Sequence, residues 1–202
     1  MPSPRLPLLA TALLVLAQAL PAPWTASRVL AQAPLPIAGL RTVFADDPQQ
    51  WDLLDADDER VGELRLRFPG MGGQLGDLSQ WSLRCGDLDA VIRRKVRGRD
   101  DLWEVRVGGD LAVARTLFPG RYDEWRVEAG GEVVVYAARD GRLLEYWGLR
   151  GAEPGGDFAV YTTYEGDWRE WTVADDSAAG TLSTAAQVAL IWLPVYLRLT
   201  AL

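Results

Sequence analysis

Tryptophan returns at Trp81, Trp103, Trp125, Trp147 and Trp168, at intervals of 22, 22, 22 and 21 residues. The words that begin at three of these positions are alike: Trp81-Ser-Leu-Arg-Cys-Gly-Asp-Leu, Trp103-Glu-Val-Arg-Val-Gly-Gly-Asp-Leu and Trp125-Arg-Val-Glu-Ala-Gly-Gly-Glu-Val. A fixed period of this length marks a repeated supersecondary unit. Inside each unit apolar and polar residues alternate. Trp103, Val105 and Val107 share one face of an extended chain, with Glu104 and Arg106 on the other; Trp125, Val127 and Ala129 oppose Arg126 and Glu128 in the same way. A glycine turn follows and then a second strand, so each unit reads as one β-hairpin.

The turn signals extend this rhythm through most of the chain. They fall at Gly86, Gly98 to Asp100, Gly108-Gly109, Pro119-Gly120, Gly130-Gly131, Asp140-Gly141, Pro154 to Gly156 and Glu165-Gly166. Intervals of about ten to twelve residues are those of a sandwich or barrel. Strands are expected near 39–45, 51–54, 61–68, 78–85, 88–97, 102–107, 110–118, 122–129, 132–139, 142–149, 157–164 and 167–173. Short connections make sequential strands antiparallel neighbours, hence a meander. So many twisted strands curl, and closure removes the edges that invite aggregation. The fold class expected is all-β with one helix: about twelve antiparallel strands in a closed or nearly closed barrel, with an apolar C-terminal helix packed in or on it.

That helix is expected over 184–200. Thr184 followed three residues later by Gln187 reads as a capping box. Gln187 and Arg198 share one side at 100° per residue, Tyr196 and Thr200 lie nearly opposite, and no broad polar face remains. A helix apolar all round is buried in protein or in lipid. The cap, the polar residues near both ends and the need of a barrel for filling favour a helix through or across the barrel over a membrane tail. Pro194 is expected to kink it near Leu190.

The chain of 202 residues carries a formal charge of −7 and no histidine. The acidic balance argues against nucleic acid as a partner, and the lack of histidine removes the commonest general base and metal ligand together. Cys85 is the only cysteine, which rules out an internal disulfide, and it shares the apolar face of Trp81 and Leu83. Residues 1–19 read as a secretory signal, with Arg5, an apolar run from Leu6 to Leu16, and Ala17-Gln18-Ala19 as cleavage site. A second site, Ala31-Gln32-Ala33, precedes a proline. Residues 20–37 read as a Pro/Ala-rich linker and 38–202 as the barrel domain, placing the mature protein in the periplasm or outside the cell.

Arg93-Arg94-Lys95-Val96-Arg97-Gly98-Arg99 is the one basic cluster. If it ends a strand, Arg93, Lys95 and Arg97 project from one face, and Arg94 and Arg99 complete a set able to bind an anionic headgroup, since guanidinium groups bind phosphate bidentately. Set against this is a solvated, charged edge with Asp100 and Asp101 as neighbours. The acidic run Asp46, Asp47, Asp52, Asp55, Asp57, Asp58 and Glu59 lacks the glycine of a calcium loop and reads as a hairpin turn. No cofactor or metal site is read from the chain, and no carboxylate pair stands out from the rest.

The run of W-x-[VL]-[RE] strands at Trp81, Trp103, Trp125 and Trp147, followed by Ala185-Ala-Gln-Val-Ala-Leu-Ile-Trp-Leu, resembles the tubby C-terminal-like superfamily, which includes the LURP-one-related and phospholipid-scramblase-like proteins. The resemblance covers about residues 38–202 and lies in architecture and strand rhythm. It implies a twelve-stranded barrel that encloses its own C-terminal helix, and binding to membranes or anionic lipids more than catalysis. The expectation is an exported, non-catalytic envelope module for anionic lipid or an envelope protein. The alternatives are a lipocalin-like carrier of an apolar ligand and a small hydrolase using a carboxylate pair. The state of the barrel interior separates the first two.

Overall fold

The computed structural model describes residues 35–45, 47–71, 74–139, 143–151, 158–176 and 182–200. The expected leader, most of the linker and the Asp140-Gly141 turn lie outside the described residues. Twelve strands follow one another: β1 (Gly39–Phe44), β2 (Asp47–Leu54), β3 (Arg60–Phe68), β4 (Asp77–Cys85), β5 (Leu88–Arg94), β6 (Leu102–Val107), β7 (Asp110–Thr116), β8 (Glu124–Ala129), β9 (Glu132–Ala138), β10 (Tyr146–Leu149), β11 (Phe158–Tyr164) and β12 (Asp167–Asp175). Each pairs antiparallel with the next, and β1 pairs with β12 through Leu40 and Trp171, so the barrel closes. A single helix, α1 (Thr184–Thr200), ends the described chain.

Six strand limits differ from the expected ones by two residues or more, among them β7, which ends at Thr116, and β8, which begins at Glu124. β2 starts at Asp47 and not at residue 51, because Asp47 pairs with Phe44 and Gln50 with Arg65 ahead of Trp51. β5 stops at Arg94, where residues 95–101 turn away as a loop, and β10 is only four residues long. β12 runs on to Asp175 because its partner β11 extends to meet it, Phe158 opposite Asp175. The two-residue turn Gly130-Gly131 has positive φ at both positions, 59° and 88°, the geometry a tight hairpin needs.

The tryptophan period has a structural cause, and its membership differs from the expected one. The inward indoles are Trp51, Trp81, Trp103, Trp125, Trp147 and Trp171, one on each even-numbered strand, all at most 4% exposed. Trp168 is not one of them: it is half-buried and packs edge-on against Trp51 at 6.2 Å. Each indole needs a partner for its N–H in an apolar interior. Five solve this identically, donating to the carbonyl three residues back: Trp51 to Pro48, Trp81 to Leu78, Trp103 to Asp100, Trp125 to Tyr122 and Trp171 to Trp168, at 2.7–3.1 Å. Trp147 reaches the Glu145 carboxylate instead, at 3.5 Å.

The helix occupies the lumen. Thr184 to Tyr196 and Leu199 are all buried, around the whole circumference. Trp192 and Tyr196 stack on each other at 4.8 Å, and both meet inward Trp103 at steep ring angles, at 4.6 and 4.7 Å. Its nearest walls are β5 to β8 and β11. There the inward side chains include Ala90, Ala112, Ala114 and Ala129, all buried. The opposite wall, β1 to β4 and β12, fills its own side with Leu40, Trp51, Leu53, Leu64, Leu66, Trp81, Leu83 and Trp171. The helix therefore lies off the barrel axis, against the small-residue wall. No helix among the described residues is long and apolar enough to cross a membrane.

The helix start corrects the expected cap by one residue. The Ser183 carbonyl accepts the first helical hydrogen bond, from Gln187 N–H, and its hydroxyl accepts from Ala186 N–H at 3.3 Å. Asp110, at the start of β7, accepts from Ala185 N–H at 2.9 Å, placing a carboxylate on the positive end of the helix dipole. Gln187, buried, donates to the Leu182 carbonyl and accepts from Leu35 N–H. The side chain read as part of a capping box thus ties the entering chain to the helix.

Candidate functional site

The five bases singled out from sequence lie at the end of β5 and in the β5–β6 connection, and the structure separates them. Arg93 points outward and is spent on the barrel wall: with Arg106 it grips one oxygen of Glu104, at 2.8 and 2.6 Å. Glu104 is only 5% exposed although it faces outward. Its carboxyl is held below the usual range first by the hydrogen bond from Arg106, then by Arg93, against the opposing effect of burial. Arg94 has the inward parity of Ala90 and Ile92 and closes the barrel mouth: its guanidinium lies 5.5 Å from the Trp103 ring centre and pairs with Asp100 at 2.6 Å. Burial pushes the phenol of nearby Tyr196 up to about 12.

Arg99, exposed, pairs with half-buried Asp101 two residues on, at 2.7 Å. Lys95 donates its backbone N–H to Leu102, but its ammonium makes no ion pair among the described residues, and neither does Arg97. Both are exposed. Arg94 and Arg97 add weakly to the depression of the Asp77 carboxyl, which arises mainly from the Ser79 N–H and hydroxyl. Of the expected set, then, Lys95 and Arg97 present unpaired charge to solvent, while Arg93, Arg94 and Arg99 already hold carboxylates. The expected single face does not form, because the strand ends at Arg94 before Lys95 and Arg97 can share it with Arg93.

The sequence reading missed the outer concavities. A groove of about 640 Å³ runs over β2 to β5 and is lined among others by Gln50, Arg65, Arg67, Ser82, Arg84 and Asp89. The register places Gln50, Arg65, Ser82 and Val91 in one row across these strands. Alternation names these residues as outward, but only closure of the barrel gives them a common floor. Lys95 lines a second hollow with Leu102, Val113, Arg115 and Glu128. Of the acidic run, Asp55, Asp57, Asp58 and Glu59 form the β2–β3 turn, Asp47 and Asp52 lie in β2, and Asp46 lies outside the described residues: Asp55 accepts from the Asp57 and Glu59 N–H groups, and Asp58 has φ 66°. No group of three metal-ligating side chains is gathered among the described residues. Cys85 is buried on the inner face, and burial raises its thiol pKa.

Comparison of the chain with protein-family models, with curated proteins and with solved structures finds no match.

Proposed function

We propose that this chain is a non-catalytic binding module of tubby-like kind that meets anionic lipid on its outer surface, through the β5–β6 connection. The observation that carries the reading is the pairing of a self-filled barrel with unpaired bases beside its mouth. α1 and the inward tryptophans pack the lumen, so a partner is met from outside. Lys95 and Arg97 are the members of the basic cluster whose charge is not already held by a carboxylate. The same packing speaks against a carrier, which needs a cavity of several hundred Å³ inside the barrel. The apolar run and Ala-x-Ala site of residues 1–19 support an exported protein of a bacterial envelope.

Co-sedimentation with vesicles tests the reading. Binding rises with the fraction of anionic lipid, falls with salt, and weakens by about fivefold for each of Lys95→Gln and Arg97→Gln, since a base near such a surface contributes about 1 kcal/mol. Equal binding by the double variant and the parent removes the β5–β6 connection from the reading.

A further inference from the structure

In an antiparallel meander all connections from odd to even strands emerge at one rim, and those from even to odd at the other. The odd-to-even rim here gathers nearly all the exposed large apolar side chains among the described residues. At each of its six connections, in the loop or on the strand residue leading into it, a large apolar side chain meets solvent: Phe44, Phe68, Val96, Phe118, Leu143 and Tyr164, from 43 to 79% exposed. Among the described residues every exposed large apolar side chain belongs to this rim except Leu111 and Val133. Two of the tips repeat one word, Phe68-Pro69-Gly70 and Phe118-Pro119-Gly120.

Two of these tips are held in place by their neighbours. Gln49, buried, accepts from the Gly70 and Gly76 N–H groups at 2.6 and 2.9 Å and so braces the loop behind Phe68. Arg121 lies 5.3 Å from the Phe118 ring centre while pairing with Asp123 at 2.6 Å. Acids on this rim are largely neutralised by neighbours, as in Arg99–Asp101, Arg121–Asp123 and Arg169–Asp167, whereas Arg67, Lys95 and Arg97 make no ion pair among the described residues. The even-to-odd rim is the more acidic one, although Asp58 there is held by Arg41 at 3.1 Å. Its described connections hold Asp55, Asp57, Asp58, Glu59, Asp87 and Asp176 against Arg150.

We propose that the odd-to-even rim is a membrane-docking face, on which the barrel stands end-on with its hairpin tips entering the headgroup layer of an anionic bilayer. The inference rests on the anionic-lipid reading above and adds to it an orientation and an apolar contact. A bilayer is favoured over a protein partner by the layout. The apolar groups are separate knobs spaced around a mouth, interleaved with arginine and lysine, and do not form one continuous patch. A fluid interface accepts separate knobs, with apolar rings below the phosphate level and cationic heads at it. The charge supports the same orientation, since the acidic rim is repelled by anionic lipid and turns away.

The test uses the full chain with vesicles of phosphatidylcholine alone and of phosphatidylcholine with phosphatidylglycerol. Phe44→Ser, Phe68→Ser and Phe118→Ser together lower the partition coefficient on anionic vesicles about a hundredfold, a loss that high salt does not reproduce. Leu111→Ser with Val133→Ser, also exposed but near the other rim, leaves it unchanged. Full retention of binding by the triple variant, with loss in Lys95→Gln/Arg97→Gln, overturns the proposal and leaves the anionic-lipid reading standing. Binding to neutral and anionic vesicles alike, abolished in the triple variant, keeps the docking rim and overturns the anionic part of that reading. No binding to either vesicle overturns both. As a check independent of the triple variant's folding, an environment-sensitive dye on Phe118→Cys shifts to the blue on vesicles and one on Leu111→Cys does not; equal response at both positions also overturns the end-on orientation.

Discussion

Deleting residues 184–202 removes the filling of the barrel, and the structure gives the scale of the loss. Val188, Leu190, Ile191, Trp192, Leu193, Val195, Tyr196 and Leu199 are each at most 1% exposed. At about 1.5–3 kcal/mol for each fully buried large side chain, these eight contribute ~12–24 kcal/mol, an upper bound because the unfolded chain is itself partly compact. A domain's whole stability is about 5–15 kcal/mol. The alanine wall of β5, β7 and β8 is too short to close over the vacated space, so the strands cannot recover the loss by collapse. The truncated chain is expected to aggregate or to lose its near-ultraviolet circular dichroism and cooperative melt. Trp192 supplies a graded version. Trp192→Ala leaves a cavity beside Trp103 and Tyr196 and costs about 3–5 kcal/mol. Trp192→Phe costs less than transfer alone implies, because the Trp192 Nε1 is buried without a hydrogen-bond partner among the described residues. A truncated chain that melts cooperatively near the parent temperature refutes the lumen-filling argument.

Two further outcomes follow from buried polar groups. Glu104→Gln weakens the clasp on Arg93 and Arg106 and lowers stability by about 1–2 kcal/mol at neutral pH. Because the native carboxyl titrates below its ordinary 4.5, the difference from the parent is constant above that value and shrinks as pH falls through the native pKa; urea melts from neutral to acid pH read it, and a gap that widens toward acid contradicts the assignment. Gln49→Ala strips the Gly70 and Gly76 N–H groups of their acceptor and costs about 1–3 kcal/mol. Amide exchange at those two glycines should accelerate well beyond that of β6, and unchanged protection there refutes the bracing role.

What the sequence made legible follows from which forces act locally. All twelve strands and the helix were readable because alternation, glycine turns and an all-apolar helix are short-range signals. The membership of the tryptophan set was not, since Trp168 and Trp171 both fit the period and β12 parity decides between them only once Leu40 pairs with Trp171. Trp51 escaped for a related reason: the loop at 69–76 lengthens the interval to Trp81 and hides the repeat. The cap was misread by one residue because Ser183 and Thr184 are both good caps, and Asp110 from β7 reaches Ala185 from 75 residues away. The basic cluster was visible as a run, but its partition between held and unpaired charge depends on Glu104, Asp100 and Asp101, two of which lie on the far side of a turn and one on another strand.

The same six-hairpin plan explains why the interior of this barrel leaves a partner only its outside. Six equivalent hairpins, each turning an indole inward, would by themselves build a symmetric barrel with a column of space on its axis. The repeat is broken at its small positions: Ala90, Ala112, Ala114 and Ala129 stand where the opposite wall carries leucine and tryptophan. That asymmetry leaves room for one helix on one side only, and α1 matches it with Ala185, Ala186 and Ala189 near its start and Trp192 and Tyr196 farther along. Once the chain fills its own lumen, the side chains free to meet a partner are those of the walls and the two rims. The walls are laced by ion pairs such as Arg41–Glu170, Arg60–Asp52 and Arg93–Glu104, which satisfy their charges internally. The rims keep charge outside such pairs among the described residues, Lys95 and Arg97 at one and Asp57, Glu59 and Asp87 at the other, and they differ in the two properties, apolar exposure and charge, to which a bilayer surface responds.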